Sequence, residues 1–220
     1  MIAINPLTDP VADCTRNVIN MQTETVLVRP KRNAIREIRD LRRKQTAETA
    51  LDGLSHDNEI FGFTKGQFSV IDIITAVLAK TGPATLDIST WTAANAEISA
   101  VLDFVNTKAV ISSRWLVDAS FQRRFPHLAQ RIRDVFGTEA VRVAKNHAKF
   151  ALITNANWKI VLRTSMNLNF NPRFEDFTIA HDPELHAFIS QIMDSIWKRQ
   201  TSSMANERPY EIFKHFRDAL

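Results

Sequence analysis

The sequence predicts an α/β fold, a mixed β-sheet flanked by helices, and three observations lead to it. Strand-like and helix-like patterns alternate between residues 84 and 136, the mark of a βαβ unit with a right-handed crossover. Two apolar runs flank "NAN" at 155 to 157, a turn-forming tripeptide, and so read as an antiparallel hairpin. Hydrophobic residues make up 45% and charged residues 24% of the 220, which are globular values in a chain long enough for one sizeable core.

Residues 1 to 30 hold three prolines and no helical period, and read as an extended arm. From Asn33, the apolar Ala34, Ile35, Ile38 and Leu41 fall at helical spacing among Arg36, Arg39, Arg42 and Arg43. That spacing predicts a short amphipathic helix with a basic outer surface. "LDGLSHDNEIFGFTKGQ" holds three of the five glycines and predicts turns around a short strand, EIFGF. "FSVIDIITAVLAK" predicts a helix ended by Gly82 and Pro83, since Gly adopts the left-handed cap conformation and Pro cannot continue the helix.

"ATLDISTWT" and "KAVISSRWL" read as strands around the helical "AANAEISAVLDFVN". "ASFQRRFPHLAQRIRDVFG" reads as helical and broken before Pro126. "AVRVAKNHAKFALIT" and "WKIVLRTSMNLN" form the hairpin arms, and "FEDFTIAHD" a further strand. "PELHAFISQIMDSIWKRQ" predicts a helix, with Pro and an acid in its first turn and Lys and Arg at its end. The expected division is residues 1–57 for the arm and basic helix, 58–200 for the α/β domain, and 201–220 for a weakly amphipathic tail.

Composition narrows the function classes. Cys14 is the single cysteine, which excludes an intrachain disulfide and a thiolate cluster, and the six histidines show no metal-binding spacing. No metal or cofactor is expected. No apolar run approaches the roughly 20 residues of a membrane helix, and "MIAINPLTDPVADC" lacks the order of a signal peptide, so the expected location is cytoplasmic. Residues 29 to 44 hold eight Lys/Arg and two acids, a local +6 against a net +4 for the chain. Arg32, Arg36, Arg39, Arg42 and Arg43 suit a phosphate backbone; a solvated helix face has the same composition. The short apolar stripe of this helix also allows docking on anionic lipid, a weaker reading because it lacks aromatics.

His147 and Lys149 are two residues apart in an apolar run, so an extended chain would project them to one face. If the hairpin closes on 155 to 157, Thr154 pairs with Trp158, Ser165 falls opposite His147, and Asn167 lies one pair further. A hydroxyl, an amide and an ammonium would then surround an imidazole, a donor set suited to a phosphoryl group. Arg114, near the carboxyl edge of a predicted parallel strand, is a further candidate phosphate contact. Trp91 and Trp115 read as core or rim residues before base-stacking ones, and His127, His181 and His186 as helix-end or surface residues.

"HAKFALIT" followed by "RTSMNLNFNPRFEDF" resembles the phospholipase D superfamily signature, H-x-K-x4-D, then G-S-x-N and a downstream Glu. Thr154 stands where that signature has Asp, and Thr164 where it usually has Gly. The resemblance implies a phospholipase D-like domain and a metal-free phosphodiesterase. His147 would attack phosphorus, Lys149 and Asn167 would hold the nonbridging oxygens, Ser165 would contact substrate, and Glu175 would orient His147. One motif per chain implies a homodimer with the active site on its axis, and single-motif members imply a nuclease, with DNA ahead of RNA. The alternative is a nucleic-acid-binding or assembly module with a degenerate site.

Overall fold

The computed structural model describes residues 34–42, 46–170 and 172–200. Strand β1 (Ile35–Asp40) is followed by helix α1 (Ala47–Ala50), strand β2 (Asn58–Thr64) and helix α2 (Val70–Thr81). Strand β3 (Ala84–Thr90), helix α3 (Asn95–Asn106) and strand β4 (Val110–Asp118) form the expected βαβ unit, with β3 and β4 parallel. Helices α4 (Ala119–Arg124) and α5 (Pro126–Phe136) break at Phe125, before the proline. Strands β5 (Val141–Ala144), β6 (Phe150–Thr154), β7 (Lys159–Thr164) and β8 (Glu175–His181) precede helix α6 (Pro183–Arg199).

All eight strands lie in one mixed sheet, in the order β1-β2-β8-β7-β6-β3-β4-β5. Its two faces are separated by alternation along the strands. On β4, Trp115 and Val117 enter the large core shared with α1 to α5, whereas Leu116 packs with Met193 and Ile196 of α6. Helix α2 starts in a capping box, in which Ser69 Oγ accepts from Asp72 N at 3.2 Å and Asp72 accepts from Ser69 N at 2.7 Å. It ends at Gly82, whose φ of 79° and ψ of −173° lie in a positive-φ region open to glycine, though not the left-handed helical one anticipated there. No helix among the described residues is long and apolar enough to cross a membrane.

Three expectations are corrected. The basic helix expected from residue 33 is instead β1, an edge strand parallel to β2. Ile35 and Ile38 stay exposed, so a helix here would lack the buried face that holds short helices in place, and pairing with residues 58 to 63 supplies the backbone partners instead. The sheet therefore begins before residue 58, and the lipid-docking helix has no counterpart. The arm at 1–30, Arg32, Arg43 and the tail at 201–220 lie outside the described residues.

The run read as one strand from 140 to 154 is two, at different places in the sheet. The third correction concerns His186, which stands at a helix end as expected, in the first turn of α6, but is buried.

Arg36 and Arg39 of β1 pair with Glu59 and Glu37, and Arg42 just beyond it pairs with Asp40; Arg36 and Arg42 remain more than half exposed. Arg39 also donates to the carbonyls of Ala50 at 2.8 Å and Asp52 at 2.7 Å, closing the end of α1.

Gly62 of β2 faces Phe177 of β8, and a Cβ there would lie 2.4 Å from the Phe177 ring and 2.9 Å from Leu41. Gly62→Ala should therefore destabilise the protein by about 1–3 kcal/mol, the range for overpacked cores. The measurement is the urea midpoint, and Gly62→Ala combined with Phe177→Leu should recover part of the loss.

Candidate active site

The loop from β5 to β6 leaves the edge of the sheet and crosses the carboxyl ends of β4 and β3 before entering the middle. Backbone crossing strand ends needs partners for its polar groups. Asn146, buried, supplies them. Its Nδ2 donates to Ser89 Oγ at 3.0 Å, Leu116 O at 3.2 Å and Thr90 O at 3.3 Å. Its backbone N donates to Asp118 Oδ2 at 3.0 Å, and its Oδ1 accepts from Ala148 N at 3.0 Å. Ser89 Oγ donates onward to Ala148 O at 2.9 Å. Asp118 is itself the N-cap of α4, accepting from Ser120 N at 2.8 Å.

This anchored loop presents His147, exposed, and Lys149, half-buried. Lys149 Nζ lies 3.1 Å from His147 Nδ1 and donates to His147 O at 3.0 Å. Burial lowers the Lys149 pKa from its usual range, while the nearby Glu175 carboxylate opposes the shift. An ammonium can only donate, so while Lys149 is charged Nδ1 is the acceptor and the ring proton of a neutral imidazole sits on Nε2.

The opposing segment follows β7. Its register differs by one from expectation: Thr154 pairs with Lys159, not Trp158. Asn155 and Trp158 close the turn, with Asn155 N donating to Trp158 O at 3.0 Å and Asn155 Oδ1 accepting from Asn157 N and Trp158 N. Thr164 then lies across from Lys149 and donates its N–H to Lys149 O at 3.3 Å, so His147 and Ser165 are not strand partners. They reach one edge through loop anchoring instead of strand alternation.

Thr164 Oγ1 donates to Asp176 O at 2.7 Å and accepts from Met166 N at 3.0 Å, joining the segment to β8. Ser165 Oγ donates to Glu175 and accepts from Asp176 N at 3.0 Å. Beyond it, Leu168 N donates to Thr92 O at 3.2 Å and Leu168 O accepts from Ala94 N at 2.7 Å, which docks the segment carrying Asn167 on the loop after β3. Asn167 Oδ1 is buried without a hydrogen-bond partner. A cleft of about 420 Å³ is lined by Lys149, Arg163, Thr164, Ser165 and Asp176.

The five motif residues thus lie along the carboxyl edge of the parallel strands, where α/β folds hold ligands. Glu175 reaches Ser165 and acts on Lys149 through its charge; its hydrogen bond goes to Ser165, not to His147. Arg114, expected as a phosphate contact, is committed elsewhere: it donates to both Asp87 oxygens, at 2.7 and 2.5 Å, and to Asp194 of α6 at 2.6 Å. Two carboxylates hold its guanidinium and raise its pKa further.

Trp115 is core, whereas Trp91 lies at the rim with its ring 5.7 Å from that of His147. Asn146 and Asp118 were not singled out by sequence. The available signal was an Asn directly before H-x-K, at a polar break between two apolar stretches.

No family model matches the sequence, and no curated protein matches it. Among solved structures, the polyphosphate kinase from Porphyromonas gingivalis is similar at 15% identity and a TM-score of 0.49, over 68% of this chain and 28% of that one. The phospholipase D family member Nuc from Salmonella typhimurium is similar at 14% identity and 0.48, over 64% and 94%. NucT from Helicobacter pylori is similar at 13% and 0.41, over 64% and 97%. These scores lie below 0.5, and the functional reading rests instead on the motif residues and their placement.

At the far end of β6, Thr154 Oγ1 lies 2.5 Å from His186 Nε2. Burial lowers the His186 pKa, and Lys159 and His181 lower it further against an opposing effect of Asp87. The unfolded chain then binds the proton more readily than the folded one, so stability is full above the unfolded value near 6.5 and falls as pH drops through it. The urea midpoint should decrease between pH 7.5 and pH 5.5, and less so in His186→Gln.

Proposed function

We propose that the protein is a metal-independent phosphodiesterase of the phospholipase D type, acting on nucleic acid as a homodimer. The observation that carries this reading is the placement of His147, Lys149, Ser165, Asn167 and Glu175 on one sheet edge by three segments, the β5–β6 loop, the stretch after β7 and the start of β8. Attack by His147 Nε2 needs that nitrogen unprotonated, with the ring proton on Nδ1. On substrate binding, Lys149 leaves Nδ1 for a nonbridging phosphate oxygen, Asn167 donates to the other, and Glu175 turns from Ser165 to accept from Nδ1–H.

His147 forms a bond to phosphorus as the bond to the leaving oxygen breaks. The partner subunit's copy of the same histidine protonates that oxygen, and water then cleaves the phosphohistidine. The substitution at Thr154 lies five strand residues from Lys149, roughly 16 Å at about 3.3 Å per residue, so it is remote from the reacting atoms.

A second reading, a binding or assembly module with an inactive site, is favoured by the resting contacts: Lys149 on Nδ1 and Glu175 on Ser165. The two readings predict different outcomes. Under the first, purified protein cleaves DNA or RNA in EDTA, His147→Ala lowers the rate at least about a thousandfold, as loss of a covalent nucleophile does, and acid-labile phosphate is trapped on residue 147. Binding without cleavage, in protein with a dimer mass, identifies the second.

A further inference from the structure

Aromatic side chains flank the phosphate-binding edge on both sides. On the β2 side, Phe63 and Phe174 stack at a centroid distance of 5.7 Å and an interplanar angle of 19° while remaining 39% and 64% exposed. Phe170, in the loop before β8, is 61% exposed. Single exposed apolar side chains are common, whereas a contiguous exposed aromatic patch marks an interaction surface. Basic groups lie among these: Lys65 and Arg42, the latter paired with Asp40, line a hollow of about 260 Å³ with Phe174, and Arg173 is exposed. On the β3 side, the Arg124 guanidinium lies 5.1 Å from the Trp91 ring, which adjoins His147.

Register places both stations on the same rim. Phe63 pairs with Asp176 and Thr64 with Glu175, at the end of β8 that carries the motif carboxylate; Trp91 directly follows β3. From β2 through β8, β7 and β6 to β3 are four inter-strand steps, or roughly 19 Å at about 4.8 Å each, with His147 and Lys149 leading into β6 between them.

Duplex nucleic acid keeps its base faces stacked inside the helix and presents phosphates to a protein rim. Aromatic rings interleaved with cations along that rim gain contacts only when base faces are open.

We propose that this edge is a track for single-stranded nucleic acid, with the Phe63–Phe174 pair and Trp91 as base-stacking stations on either side of the scissile phosphate. This rests on the nucleic-acid reading given above and adds the strandedness of the substrate and three residues that select it. The outer face of the phenylalanine pair takes one base and Trp91 another, so that the phosphate between them is drawn over Lys149. Arg124 packs against Trp91, and Lys65 and Arg173 receive backbone phosphates.

The test is fluorescence anisotropy of the full chain, in EDTA, with a labelled 20-mer as single strand and as duplex, using His147→Ala to prevent cleavage. In that background, Phe63→Ala with Phe174→Ala, and separately Trp91→Ala, should each weaken single-strand binding about tenfold, as loss of a stacked base does. Duplex binding should change less than twofold, with the native mass constant. Phe63→Leu with Phe174→Leu, which keeps apolar bulk without the π face, should also weaken single-strand binding.

Equal losses on both substrates, no loss, or a Leu pair that binds normally would each overturn the proposal. So would a fall in native mass in the Phe variants, which would assign the patch to a contact between copies of this chain. If the parent binds duplex alone, strandedness fails and the nuclease reading survives. If it binds neither but the wild type hydrolyses bis(p-nitrophenyl) phosphate, both nucleic-acid readings fail and the phosphodiesterase reading survives.

Discussion

The buried amide of Asn146 is the contact on which the candidate site depends. The chain must pass from β5 at the sheet edge to β6 in its middle, over the ends of two intervening strands. A crossing of this kind leaves backbone and strand-end groups facing each other in a place closed to water, where unpaired polar atoms are costly. One asparagine side chain joins them, donating to both strand ends and accepting from the loop, with Asp118 and Ser89 completing the network. Because every member is satisfied, the loop has one arrangement, and His147 and Lys149 inherit their direction from it.

The facing segment is fixed in a comparable way by different chemistry. Thr164 links Lys149 to β8 through its backbone N–H and hydroxyl, and Leu168 exchanges backbone hydrogen bonds with the loop after β3. The signature that this chain resembles usually has Gly where Thr164 stands, and here the hydroxyl takes part in holding the strands together. The result is a polar edge on a rigid apolar sheet, with Arg114 and its two aspartates tying the opposite face to α6 away from that edge.

Much of the fold was legible because its signals are local. The α2 helix carries its own start at Ser69 and stop at Gly82, the βαβ unit its own alternation, and α6 its proline and terminal charges. Residues 35 to 40 were misread since their apolar spacing fits a helix, while the deciding partner lies more than 20 positions away in β2. The break at 145 to 149 was hidden for a related reason: apolar residues continue on both sides, and nothing local shows that the two halves belong at different positions in the sheet. Arg114 had the residue type and strand position of a phosphate ligand. Its real partners, Asp87 and Asp194, come from elements 27 and 80 residues away.

By itself the sequence determined the element types over most of the chain and the identities of the five motif residues, since both depend on short-range patterns and side-chain chemistry. Tertiary structure alone decided how those residues meet. The hairpin register follows from where the Asn155–Trp158 turn closes, and the orientation of His147 from a loop pinned across two strand ends. It also placed Trp91 and the Phe63–Phe174 pair on the same rim. Register, crossing and shared edge are relations between distant segments, fixed by which backbone groups find partners once the sheet has assembled, and no window along the chain contains them.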